Sequence, residues 1–391
     1  MLTLVLLASA LTCLIFVLVF GSFFGGIGSA RYAATQEYAA LLDLIEKMYI
    51  GEYDESDVTA AAMHAAVIAL GDEWSYYMTP EEYIEYLNSA NNQFAGIGVG
   101  VAIDEETGGM VVIYTYRGSP AETAGLLPGD IITGIDGQGL EGLSLDGMRA
   151  LLSRPVGQTA SLTVIRADGV VEAVDVVFDL VFSDPVSFEM LDGDIGYVRI
   201  DNFERGAADG FISAVNELLE EGARAFIYDV RCNRGGRVNE LIRILDFLLP
   251  EGEIFISVDK SGKESITYSD DETVDAPAIV LADKYSFSAA EYFAAMLGEF
   301  DYAEVVGERT TGKGRSQMTE MLPGGGALHI STSQYLTKNR ISLHDAGGLI
   351  PDHQLAMSDE EISLLLVGNL DKDEDPQLQL ALELINDLLT R

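Results

Sequence analysis

Apolar and polar positions change rhythm several times along this chain. Residues 1–20 form an uncharged run dominated by Leu, Val, Ala, Ile and Phe, the length one helix needs to cross a bilayer. The run loosens into a glycine-rich stretch over 21–28. Two readings stay open: an uncleaved anchor, which the length of the run favours, or a secretory signal with small residues near Ser29 and Ala30 for cleavage. From Tyr32 to about Asn91 apolar residues recur at helical spacing, notably over 38–45 and 60–70, and predict a small helical region. Within it Thr79-Pro80-Glu81-Glu82 sets a capping threonine before a proline at the first helical position, predicting a helix to about Leu87.

Between Phe94 and Leu180 the pattern shortens to β-rich runs at 98–103, 110–114, 130–135, 160–165 and 174–178, with helical stretches at 120–124 and 145–152, as suits a small, partly open β-barrel. From Asp194 onward strands and helices alternate. Strands are predicted at 195–200, 225–230, 278–281 and 304–306, and helices near 207–220, from 238 to 249 and opening near Ser288. A β-rich 326–337 and an amphipathic helix over 376–389 follow, giving α/β texture. The expected fold class is therefore α+β multidomain: a membrane anchor or signal over 1–30, a helical region over 31–92, a β-barrel-like module over 93–182, an α/β core over 183–370 and a C-terminal helix over 371–391.

Composition narrows the function classes. The chain's 391 residues, 48% of them hydrophobic, can bury two cores, and 63 acidic against 23 basic residues leave a formal charge of −40 that repels phosphate backbones. Nucleic acid is thus excluded as a partner. The two cysteines, Cys13 and Cys232, support no disulfide framework. The four histidines show no metal-ligand spacing and no CxxC occurs, so neither a metal nor a cofactor is expected.

The candidate chemistry lies in three separated places. Ser288 follows the apolar strand 278–281 and opens a helix, where unpaired amides such as that of Ala289 can stabilise an oxyanion. Alone, a serine there is usually a cap. Lys313 stands in Gly312-Lys313-Gly314; burial lowers a lysine's pKa and lets it accept a serine's proton. Gln317, four residues on, can orient it through a hydrogen bond. The strand 225–227 ends in Asp229-Val230-Arg231-Cys232-Asn233-Arg234-Gly235-Gly236, where a glycine turn can aim an amide of Gly235 or Gly236 at a carbonyl.

Asp229, Arg231, Asn233, Gly235 and Gly236 fit the Asp-x-Arg-x-Asn-x-Gly-Gly signature of the carboxyl-terminal processing peptidases, and the chain resembles that family from Leu70-Gly71-Asp72 to Gly348-Leu349-Ile350-Pro351-Asp352. The resemblance implies a Ser-Lys serine protease with Ser288 as nucleophile, Lys313 as general base, Gln317 as its orienter, and Gly235 or Gly236 with Ala289 as oxyanion hole. Ser286 is the reserve nucleophile. Cys232, Arg234, Phe287 and Ala290 depart from the family's usual residues and bear on substrate preference. Phe94 to Val99, Gly118-Ser119-Pro120-Ala121 and Gly129-Asp130-Ile131-Ile132 resemble a PDZ domain, in which Gly96, Ile97, Gly98 and Val99 would take a peptide's terminal carboxylate.

The expected partners are protein or peptide substrates, with membrane contact through the N-terminal segment and room for a homo-oligomer. The expected location is extracytoplasmic, membrane-anchored, or secreted if the segment is cleaved. Two rivals stand. One is a non-catalytic scaffold that binds peptide tails. The other is a phosphate-binding loop at 307–314, which fails because Gly314 offers no hydroxyl and no helix is predicted to follow.

Overall fold

Two strands, Ala225–Asp229 and Ala278–Ala282, lie parallel at the centre of a six-stranded sheet with every residue of both buried, all of them apolar or aromatic but Asp229. Strands covered on both faces have no side to give to water, so they lack the alternation of a half-exposed strand. The sheet runs Val186–Leu191, Ile195–Ile200, Ala225–Asp229, Ala278–Ala282, Ala303–Gly307 and His353–Gln354, with only the first pairing antiparallel. Successive strand residues point to opposite faces. Phe226 and Tyr228 pack with Phe211, Leu245 and Phe293 of the helices Ala207–Glu221, Val238–Leu248 and Ala289–Glu299. Ile227, Ile279 and Leu281 meet Leu378, Ala381 and Ile385 of the C-terminal helix Pro376–Thr390.

The computed structural model describes residues 28–366 and 368–390. The membrane-crossing or signal run expected over 1–20 lies outside them, and among the described residues no helix is long and apolar enough to cross a membrane. The chain divides into two compact units, 1–65 and 66–391. The helical texture expected near the N-terminus is realised as Gly28–Met48 and Glu55–Ile68, the latter running across the division.

Of a second sheet in the 66–391 unit the pattern showed only the β-rich 326–337, which forms as Ala327–Leu336. Its strands are Tyr76–Met78, Ala327–Leu336, Gly252–Asp259 and Glu264–Ser269, with Arg315–Met321 paired along Ala327–Leu336. Arg315–Met321 is polar and only partly buried, and Tyr76–Met78 lies inside a region of helical spacing. Both are strands because Ala327–Leu336 offers them its edges. The helix after Thr79 forms as its cap predicts: Glu82 N donates to Thr79 Oγ1 at 3.2 Å and Thr79 N to Glu82 Oε2 at 2.8 Å. It runs to Ala90 rather than Leu87.

The β-rich module is a meander of antiparallel strands, Val99–Ile103, Met110–Thr115, Ile131–Ile135, Thr159–Ile165 and Val171–Val177, around Met110, Ile132, Leu162 and Val176. Gln93–Gly96 pairs with Asp179–Phe182, so the chain leaves and returns at one point.

Arg231 explains why the C-terminal helix belongs to the core. It is fully buried and forks between Asp229 (Nε to Oδ1 3.0 Å, Nη2 to Oδ2 2.6 Å) and Asp375 (Nη1 to Oδ1 2.9 Å, Nη2 to Oδ2 2.8 Å). Tyr197 donates its hydroxyl to Asp229 at 2.6 Å. Burial pushes the Asp229 carboxyl upward, but Arg231 and Arg199 outweigh it and hold the group down to about 2. A carboxylate depressed on folding stabilises the native state above its unfolded value, and that contribution fades as pH falls from about 3.8 towards about 2. Arg231→Met, which takes the shared guanidinium away from two buried carboxylates, is expected to cost about 3–5 kcal/mol by urea denaturation at neutral pH. The wild type should lose stability through that acidic window.

Candidate active site

The strand Ala278–Ala282 ends in a tight turn that leads into the helix Ala289–Glu299. Ser286 is consumed in building this turn: it is fully buried, donates to Val230 O at 2.7 Å and accepts from Asp283 N at 2.9 Å. Ser288, two residues on, has φ 59° and ψ −122°, a conformation that costs a side-chain-bearing residue about 1–3 kcal/mol unless its surroundings impose it.

Glu291 is what imposes it. This carboxylate is fully buried one turn into the helix and accepts four hydrogen bonds. Oε1 takes Ser288 N at 2.9 Å and Lys313 N at 2.6 Å; Oε2 takes Thr310 Oγ1 at 2.7 Å and Gly312 N at 2.9 Å. Burial pushes its carboxyl above the ordinary value and these donors oppose the rise. All four partners donate, an arrangement that only the ionised form can satisfy in full. One side chain thus joins the serine turn to the lysine loop, 25 residues apart in sequence.

Behind the loop, Leu349 N donates to Thr310 Oγ1 at 2.8 Å, and a Cβ on Gly312 would meet Gly348 N at 2.8 Å. Gly348-Leu349-Ile350-Pro351-Asp352 is therefore a support for Lys313, closed at its far end by Val305 N donating to Asp352 Oδ2 at 2.8 Å. A strand, Arg315–Met321, follows Gly314, which removes the phosphate-loop reading.

The Gly235-Gly236 turn closes on the serine. A Cβ on Gly235 would lie 2.8 Å from Ser288 Cβ and 3.0 Å from Ala289 N, and a Cβ on Gly236 would lie 2.3 Å from Phe203 C. Asn233 shapes the turn, donating from Nδ2 to Ile200 O at 2.6 Å and accepting Gly235 N at 2.8 Å. The Gly235 amide is thereby committed. The bridge to Phe203 uses the Gly235 carbonyl and the Arg237 amide, so the Gly236 amide takes no part in either set of bonds.

Ser288, Ala289, Gly236, Lys313 and Gln317 all line one cleft of about 470 Å³. Burial draws the Lys313 ammonium below its ordinary value, with Asp72, Glu291 and Glu204 opposing. Lys313 Nζ sits 4.6 Å from the Trp74 ring centroid and 5.8 Å from that of Phe287. Gln317 does not orient it as expected: its Nε2 donates to Arg315 O and Ser331 Oγ, each at 3.0 Å, and among the described residues no hydrogen bond joins it to Lys313. The pairing is irregular between Ser316 and Gln317, which sets Gln317 opposite Ser331.

Sequence reasoning missed Tyr335, whose hydroxyl donates to the Lys313 carbonyl. Burial pushes its phenol well up and the neighbouring Ser288 side chain opposes this. It also missed the cleft's apolar wall of Leu87, Val238, Leu241 and Tyr292. These residues carry no motif, and only their place along the cleft that Ser288 also lines distinguishes them.

In the β-rich module, Gly96, Ile97, Gly98 and Val99 border a cavity of about 370 Å³ that Tyr114 and Arg149 also line. Ile97 is turned into the module's core at 2% exposed, and its carbonyl accepts Ala121 N at 2.8 Å. Gly98, at φ +75°, has no room for a side chain: a Cβ would lie 2.4 Å from Ser119 Cβ.

Comparison with known proteins gives this architecture its class. Residues 194–355 match the model of peptidase family S41, and residues 111–166 match that of the PDZ domain. The fold is thus that of a serine-type peptidase carrying a PDZ module, acting on proteins or peptides. The chain is 30% identical over 333 residues to the carboxyl-terminal-processing protease of Synechocystis sp., covering 84% of this chain and 77% of that protein. It is also 30% identical over 335 residues to that of Picosynechococcus sp., covering 84% and 79%. The solved photosystem II D1 C-terminal processing protease superposes with a TM-score of 0.50 at 24% identity, over 86% of this chain and 92% of that one. The chain belongs to the carboxyl-terminal-processing protease family.

Gly235→Ala places a methyl group against Ser288 and the Ala289 amide at a left-handed backbone position. The expected result is a fall in kcat of about 10²-fold or more on a protein substrate, with cooperative thermal unfolding retained.

Proposed function

We propose that this peptidase cleaves proteins near their C-terminal ends through an acyl-enzyme built by Ser288 and Lys313, with substrate tails held by the PDZ module. The observation that carries the reading is the shared Glu291 carboxylate, which accepts the backbone amides of both Ser288 and Lys313. Neutral Lys313 takes the Ser288 proton as Oγ attacks the scissile carbonyl carbon. The developing oxyanion accepts from the amides of Gly236 and Ala289. Lys313 then passes its proton to the leaving amine, which departs with the C-terminal fragment. In the second half, Lys313 takes a proton from water, the hydroxide attacks the ester, and the proton returns to Ser288 as the shortened protein leaves. Gln317 is a wall of the cleft in this reading, free to turn towards Lys313 once its bond to Ser331 is released.

The apolar wall of Leu87, Val238, Leu241 and Tyr292 favours an apolar side chain next to the scissile bond. Tail capture is supported by the cavity beside Gly96–Val99, where an extended peptide can pair with Val99–Ile103 while Arg149 attracts its carboxylate.

Casein hydrolysis by the fragment beginning near Tyr32 is expected to fall by about 10³-fold or more in both Ser288→Ala and Lys313→Ala. Equal activity in all three proteins would remove this pair. Amidating the C-terminus of a long peptide substrate is expected to raise KM with little change in kcat. Identical KM values for the acid and the amide would end the tail-capture reading.

A further inference from the structure

Lys313 has an unusual partner for a lysine so deep in a cleft. Among the described residues no hydrogen bond or ion pair runs from its Nζ, although Asp72, Glu204 and Glu291 surround it electrostatically. Instead the ammonium lies over the face of Trp74 at 4.6 Å, with the Phe287 ring at 5.8 Å and the two rings 5.7 Å apart. Trp74 is the chain's only tryptophan. Its Nε1 is buried with no hydrogen-bond partner among the described residues, so the ring is held by its faces and not by its polar edge. Phe287 follows the buried Ser286 and precedes Ser288, so one side of this aromatic pocket is fixed to the serine turn itself.

We propose that Trp74 is a positioning residue which, with Phe287, parks the Lys313 side chain while it is charged and releases it to Ser288 when it becomes neutral. An aromatic face attracts a cation through its quadrupole and has little hold on a neutral amine. Loss of a proton from Lys313 to solvent therefore frees the side chain at the moment it becomes able to accept the Ser288 proton. The proposal rests on the reading of Lys313 as the base.

The other groups facing Lys313 are Asp72 on the Trp74 segment, Glu204 before the helix Ala207–Glu221, Glu291 on the Ser288 helix, and His329 and Tyr335 on the strand Ala327–Leu336. Burial and Lys313 hold His329 down to about 4, and burial keeps the Tyr335 phenol protonated. Burial raises Glu204, with Arg237 and Lys313 opposing the rise.

The sign of the effect separates this role from simple packing. An indole that favours the ammonium raises the pH at which Lys313 deprotonates, whereas an indole that only excludes water lowers it. In Trp74→Leu the acid limb of the kcat/KM profile is expected to move to lower pH by about one pH unit, with Trp74→Phe between Leu and wild type. Emission of the single tryptophan is expected to titrate with the same midpoint in the wild type and to lose that transition in Lys313→Met. A limb that stays in place, or moves to higher pH, in Trp74→Leu would overturn the proposal. Hydrolysis lost in Lys313→Met with the emission transition intact would overturn it while leaving the Ser-Lys reading standing. Hydrolysis retained in Lys313→Met would overturn both.

Discussion

A single buried carboxylate sets the constraint on which the cleft depends. Glu291 is buried away from bulk solvent, so its charge must be met by donors of fixed direction, and all four come from the two segments that carry Ser288, Thr310, Gly312 and Lys313. Hydrogen bonds to a buried charge contribute about 1.5–3 kcal/mol each, and leaving one unmade costs more than making it gains. The left-handed backbone at Ser288 is held against this anchor. The serine turn and the lysine loop cannot drift apart without stranding the charge.

The two sheets give that anchor its place. The parallel core sheet delivers the Ser288 turn and the Asp229–Gly236 turn at the carboxyl ends of neighbouring strands, where open α/β sheets leave a crevice. The second sheet brings Arg315–Met321 and Ala327–Leu336 across from them, adding Gln317, His329 and Tyr335. The Asp229–Arg231–Asp375 cluster lies beneath, with no part in lining the cleft. In one short segment, then, Asp229 and Arg231 clamp the C-terminal helix, Asn233 stitches the turn to Ile200, and Gly235 makes room for Ser288. Within this signature Asp229, Arg231 and Asn233 hold the fold, and the glycines make the close approach to the serine.

The PDZ module is inserted between the helix Pro80–Ala90 and the first core strand, and the pairing of Gln93–Gly96 with Asp179–Phe182 closes the insertion. Because both ends leave from one ribbon, the module has its own core and adds no strand to the catalytic sheet. The helix Pro80–Ala90 contributes Leu87 and Ala90 to the cleft wall, so the residues leading into the module also border the site.

Patterns that depend on neighbours in sequence were legible from the chain alone. The apolar runs 225–228 and 278–282 announce burial on both faces and Thr79-Pro80-Glu81-Glu82 announces a helix start, while Ser288, Lys313 and the Gly235-Gly236 turn were singled out by their fit to the family's motifs. Geometry that depends on partners far along the chain was not. The strand Arg315–Met321 carries no strand pattern of its own, the bond from Gln317 to Ser331 follows from its pairing, and the commitment of the Gly235 amide follows from the reach of Asn233. Trp74 meets Lys313 across 239 residues of sequence. Local periodicity encodes which residues are buried; only the packed structure decides which buried groups face one another, because hydrogen bonds and ring contacts act over a few ångströms in space and not along the chain.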